Sequence, residues 1–230
     1  MVNGQVLIVG GTTGLGLEVA RHYHGLGHPV IVTGRDAKGA TAAAATIGKG
    51  ASALGFDLSE PETIAGALAG VGPVSRLVLA AIARDNNPVK SYDIAGAISL
   101  TTMKLVGYTA TIHTLLDRLS ADSSVVLFGG RAKDRPYPGS TTVTTVNGGV
   151  SSLIRTLAIE LAPIRFNAIH PGIVGDSPFW KNKPLDHVVA RTPTKRLTTM
   201  ADIVDATAFL LENRAMNGTN LYVDGGWMLM

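Results

Sequence analysis

The chain has 230 residues, 46% hydrophobic and 16% charged, a balance that supplies a core and excludes a disordered chain. Twenty basic against seventeen acidic residues leave a net charge of +3 with no clustered run of Lys and Arg, so nucleic acid is not an expected partner. Zero cysteines exclude disulfides, thiolate metal sites and a cysteine nucleophile; no apolar run nears the ~18 residues of a membrane span, and Met1-Val2-Asn3-Gly4 lacks a signal-peptide pattern, so a cytoplasmic protein without membrane contact is expected.

Gln5 to Val9 is a short apolar run closed by Gly10-Gly11, and apolar residues then recur at helical spacing from Gly14 to Leu26. Pro29 to Thr33 reads as a second strand, and alanine-rich Ala37 to Ile47 as a helix. Ala51 to Phe56 reads as a third strand, Pro61 to Leu68 as a short helix capped by Ser59, and Arg76 to Ile82 as a fourth strand. A long helical stretch follows from Tyr92 to Leu119, then strand Ser124 to Phe128, helix Thr141 to Ala162 and strand Arg165 to His170. Pro171 to Pro193, rich in Pro and Gly, reads as a loop or lid. Helix Ala201 to Asn213 and strand Asn220 to Val223 close the chain. Unbroken apolar strands alternating with helices predict one doubly wound α/β domain over residues 1–230, a Rossmann-type parallel sheet with helices on both faces.

Glycine fills 27 of the 230 positions. Three of them, Gly10, Gly14 and Gly16, sit between the first strand and the first helix, where bare backbone and a helix N-terminus bind a dinucleotide pyrophosphate. The spacing Gly10-x-x-x-Gly14-x-Gly16 resembles the short-chain dehydrogenase/reductase family. Thr33-Gly34-Arg35, Asp57-Leu58, Arg165-Phe166-Asn167, Pro171-Gly172 and Val223-Asp224-Gly225-Gly226 resemble further motifs of that family in the same order. The resemblance implies a nicotinamide cofactor held by Gly10, Thr12, Thr13, Gly14, Leu15 and Gly16, with Ala80 and Ala81 beside them. It implies that Asp57 and Leu58 border the adenine, that Asn147 reaches the ribose, and that Pro171, Gly172, Ile173 and Val174 line the nicotinamide. After Thr33 the family's cofactor-choosing position holds Gly34-Arg35 instead of a carboxylate; a guanidinium fork suits a 2′-phosphate, so NADP(H) is expected, although Arg35 also reads as a solvated helix-start residue.

The family's catalytic Asn, Ser, Tyr and Lys are all replaced. The resemblance aligns them with Lys104, Gly130, Val143 and Asn147. Lysine at the Asn position and asparagine at the Lys position suggest an exchanged pair, with Lys104 as the acid, Asn147 on the ribose and Tyr108 one turn further on. Lys104 and Tyr108 also read as packing residues. Arg84, Asp85 and Arg131 fall at the ligand-binding edge, either gripping an anionic substrate or merely solvated. No metal site is expected, since His22 and His24 point to different sides of their helix. The expected function is NADP(H)-dependent hydride transfer to a small carbonyl or enone substrate by a homodimer or homotetramer; the alternative is a non-catalytic nucleotide sensor or structural partner.

Overall fold

The computed structural model describes residues 4–230; Met1 to Asn3, part of the N-terminus read above for a signal peptide, lie outside the described residues. Seven strands form one all-parallel sheet: β1 (Gln5–Val9), β2 (Val30–Gly34), β3 (Ser52–Gly55), β4 (Val74–Leu79), β5 (Leu119–Phe128), β6 (Arg165–Pro171) and β7 (Asn220–Val223), in the order β3-β2-β1-β4-β5-β6-β7. The order reverses between β1 and β4, which places a crevice at their carboxyl ends, the ligand position of doubly wound sheets.

Successive strand residues point to opposite faces, and the apolar runs fill both. Leu7, Val9, Leu77, Leu79, Val125 and Leu127 join one core layer with α5 (Tyr108–Leu115) and α6 (Thr141–Glu160). Val6, Ile8, Val30, Val32, Val78 and Val126 join the other with α1 (Gly14–Gly25) and α8 (Met200–Glu212). The single-domain doubly wound architecture expected from the alternation is what the chain adopts.

Several boundaries differ from the sequence reading, each for a local reason. Pro61 to Leu68 is a 3-10 turn running into the one-turn α3 (Ile64–Ala67), and Ser59 does not cap it: its hydroxyl donates to Asp57 Oδ1. The stretch Tyr92 to Leu119 is not one helix. It starts as α4 (Ile94–Thr101), capped by the Asp93 carboxylate, widens into a π-helical segment over Thr102–Gly107, resumes as α5 and ends before Leu119. β5 begins five residues earlier than expected, in the polar run Ser120 to Ser123, because the Ser123 hydroxyl donates to the Val74 carbonyl of β4. The lid between β6 and α8 contains a short helix, α7 (Asp186–Arg191). Residues 162–163 are joined by a cis peptide bond.

Candidate active site

The glycine loop is shaped by approaches that side chains would block. Gly10 takes φ +81, and a Cβ there would lie 2.5 Å from the Ala81 nitrogen; a Cβ on Gly16 would strike the Gly10 carbonyl. Gly10 and Gly11 N–H groups both donate to the Thr33 carbonyl, at 3.2 and 3.1 Å, which ties the loop to β2. Thr13 stands at the N-cap of α1, but its side chain caps nothing and no acidic residue occupies the first turn. Asp36 caps α2 (Ala37–Ile47), Asp93 caps α4 and a Thr199/Asp202 capping box opens α8, whereas α1, like α6, has no side-chain cap. The first turn of α1 therefore keeps N–H donors for an anion.

Around this loop the expected nucleotide residues converge on one edge of the sheet. Thr12 folds over Gly34, where a Cβ would meet the Thr12 methyl at 2.6 Å. Arg35 is exposed, while the carboxylate next to it, Asp36, accepts the Gly39 N–H at 2.7 Å. Asp57 spends one oxygen on the Ser59 N–H and O–H, and buried Leu58 lies against Gly107 of the π segment. Gly172 packs on Asp224, and its N–H donates to the Val223 carbonyl, while Val174 pairs with Thr198; Ile173 lies between them.

Lys104 and Tyr108 are one turn apart and both turn inward. Lys104 is 3% exposed; its Nζ donates to the Ala81 carbonyl at 3.1 Å and to the Tyr108 hydroxyl at 3.2 Å, and that hydroxyl donates to the same carbonyl at 2.7 Å. Desolvation lowers the Lys104 pKa to about 7 and pushes the Tyr108 hydroxyl up. The π segment carries this arrangement: the missing side chain of Gly107 lets the backbone press on the Leu58 carbonyl, and the widened turn delivers Lys104 beneath the end of β4. Lys104 thus sits behind Ala81. Asn147, in the neighbouring α6, lies beside Gly130: a Cβ on Gly130 would lie 2.9 Å from Asn147 Nδ2. Val143 presents an aliphatic side chain, and its N–H is bound by Asp85 Oδ2 at 3.1 Å.

The edge also contains groups that the motif comparison passed over. His170, fully buried, accepts the Gly130 N–H on Nδ1 at 3.1 Å and meets Asn220 Oδ1 through Nε2 at 2.7 Å, which makes it the neutral Nε2–H tautomer. Burial lowers its pKa to about 4. A Cβ on Gly129 would collide with the same ring, so His170 requires a glycine at 129. The available signal was the position of His170 immediately before Pro171-Gly172. Arg131 pairs with Asp134 at 2.8 Å and approaches Asp224 at 3.0 Å, the latter contact poorly aimed for a hydrogen bond, and it stacks on Tyr222. In the lid, Pro178 lies 3.9 Å from where a Gly14 Cβ would be, and Phe179 stacks on Arg84. Among the described residues no three His, Asp or Glu side chains converge as a metal site, and no helix is long and apolar enough to cross a membrane.

Residues 9–228 match a family model described as enoyl-(acyl carrier protein) reductase. A 3-oxoacyl-[acyl-carrier-protein] reductase of Bos taurus is 29% identical over 231 residues, 96% of this chain and 97% of that protein. An L-xylulose reductase of Bos taurus is 25% identical over 97% of this chain and 96% of its own. A 3-ketoacyl-(acyl-carrier-protein) reductase from Brucella melitensis, solved in complex with NADH, superposes with a TM-score of 0.87 at 26% identity, covering 99% of this chain and 100% of that one. Fold, glycine loop and near full-length similarity agree, and the chain belongs to the short-chain dehydrogenase/reductase family.

Proposed function

We propose that the chain binds NADP(H) and carries out hydride transfer to or from a small carbonyl or enone substrate, at a site rebuilt around Lys104 and Asn147. One observation carries the reading: α1 opens uncapped behind a loop that only glycine permits, so its first-turn N–H groups and dipole are left for a pyrophosphate. The bound nucleotide would supply the hydride chemistry. Arg35 offers a planar fork to a 2′-phosphate, and Asp36 spends one oxygen on the Gly39 N–H as the cap of α2. Asp57 retains one oxygen for an adenine amino group, and Thr33, Ala80, Ala81 and Pro171 to Val174 wall the crevice. The Asn147 amide hydrogen-bonds the ribose. Lys104, with its pKa near neutrality, holds a proton under the Ala81 carbonyl, and Tyr108 shares that carbonyl. We place the protein in the cytoplasm as a homodimer or homotetramer.

Titration with NADPH and NADH tests the cofactor reading. NADPH is expected to bind more tightly, and Arg35→Asp to reverse the preference; equal affinities in both proteins would remove it. A second reading has its own support: Val143 and Gly130 offer no side-chain proton, and Lys104 and Tyr108 are both committed to Ala81. This favours a nucleotide-binding sensor or structural partner. NADPH binding without turnover across carbonyl and enone substrates would select it.

A further inference from the structure

The sequence left Arg84, Asp85 and Arg131 as three candidates for an anion grip, and the structure sorts them. Asp85 is committed to the Val143 N–H, and Arg131 to Asp134 and Asp224. Arg84 has no ion pair or hydrogen bond among the described residues. Its Cζ lies 3.7 Å from the centre of the Phe179 ring, and Lys183 Nζ lies 3.3 Å from the same centre. Two cations that close to one centroid cannot share a face without overlapping, so the ring is sandwiched between them. Lys183 also lacks a carboxylate partner among the described residues: Asp186 three positions on forms no ion pair with it, and Asp176 accepts the Met200 N–H at 2.8 Å.

At 3.7 Å a guanidinium fits only face-on over the ring, and the exposed Arg84 keeps its N–H edge unpaired among the described residues, a fork for a planar anion. Desolvation holds the Arg84 pKa below its ordinary value, and the Tyr137 hydroxyl is the one group opposing it. Pro178 meets the glycine loop on one side while Phe179 meets the loop after β4 on the other, so the two cations stand at the mouth of the crevice. Two like charges held on opposite faces of one ring repel each other, and an anion at the rim of the ring would relieve that repulsion.

We propose that Arg84 and Lys183, aligned by Phe179, bind an anionic group of the substrate, carboxylate or phosphate. This deepens the oxidoreductase reading and rests on it for the position of the reacting carbonyl.

Calorimetric titration of the protein, with and without saturating NADPH, tests the proposal with acetoacetate, its ethyl ester and inorganic phosphate as probes. Acetoacetate is expected to bind at least about tenfold more tightly than the ester, the scale of a charge-assisted hydrogen bond. Arg84→Met and Lys183→Met are each expected to abolish that difference, and Arg84→Lys to retain part of it, with NADPH affinity unchanged in all three. Competition by phosphate supports the phosphate form of the site, and its absence overturns that form. Equal binding of acid and ester, or discrimination that persists in both Met variants, overturns the proposal. So does a loss confined to NADPH affinity, which would assign the two cations to the nucleotide's phosphates. Failure of the wild type to bind NADPH removes the nucleotide reading alone, because the apoprotein titration still decides the anion site. Should Arg84→Met not fold, Lys183→Met decides it.

Discussion

Lys104 has no carboxylate partner in its hydrogen-bonded cluster, and its ammonium is stabilised only by the Ala81 carbonyl and the Tyr108 hydroxyl. Its folded pKa, about 7, lies below the ordinary lysine value, so between these two pH values the unfolded chain binds more protons than the native one. Stability attributable to this residue is present above the ordinary value and is lost as pH falls toward 7. Lys104→Met removes that dependence. Relative to wild type, its melting temperature is expected to be most favourable at and below neutral pH and to lose the advantage as pH rises toward 10; a pH-independent difference would show that Lys104 titrates normally. His170 behaves in the same sense at lower pH: its folded pKa, about 4, is depressed from 6.5, so stability is lost as pH falls through that window. His170→Asn, whose amide oxygen can still accept the Gly130 N–H, is expected to flatten the stability loss on acidification from pH 6.5 to 4. Thermal melts of both proteins across that range check it.

The decisive element is the interrupted helix between β4 and β5. Its π segment presses Gly107 onto the Leu58 backbone, so this contact couples the position of Lys104 to the loop after β3. Gly107→Ala is expected to destabilise the protein by roughly 1–3 kcal/mol through overpacking against a backbone atom that cannot yield. Gly66 in α3 has nothing near its missing Cβ. Gly66→Ala is expected to be neutral or to stabilise by up to about 1 kcal/mol through helix propensity. Chemical denaturation of both variants measures the contrast, and a harmless Gly107→Ala would mean the segment relaxes to a regular helix. Of the sequence-predicted catalytic residues, this element carries Lys104 and Tyr108, so its geometry decides whether their proton reaches the crevice.

At the scale of the molecule, one flank stays apolar and uncovered. Ile94 and Ile98 on α4 are 66% and 62% exposed, Val106 of the π segment is 50% exposed, and Tyr92, two residues before α4, is 43% exposed. Isolated exposed apolar residues are ordinary, but several on one flank fit an interface. The protein is expected to be a homo-oligomer, with Ile94→Asp/Ile98→Asp shifting it to monomer. Light scattering at micromolar concentration checks both; a monomeric wild type removes the expectation.

Much of this fold follows from local pattern. Continuous apolar strands, helix-spaced runs and a glycine turn after β1 are short-range features, because burial on both sheet faces and close backbone approach each demand particular residue types within a few positions. The order of the elements, the parallel sheet and the glycine loop were therefore readable in the chain itself. Polar residues that complete an element through a distant partner were not: the Ser120 to Ser123 run joins β5 through the Val74 carbonyl, and the π segment is selected by the approach of Gly107 to Leu58. Likewise, only tertiary packing turned Lys104 and Tyr108 toward Ala81, set His170 under Gly130, engaged Arg131 and left Arg84 without a carboxylate. Which groups a side chain meets depends on segments far away in the chain, and desolvation, which sets the Lys104 proton near neutrality, exists only once those segments have closed around it.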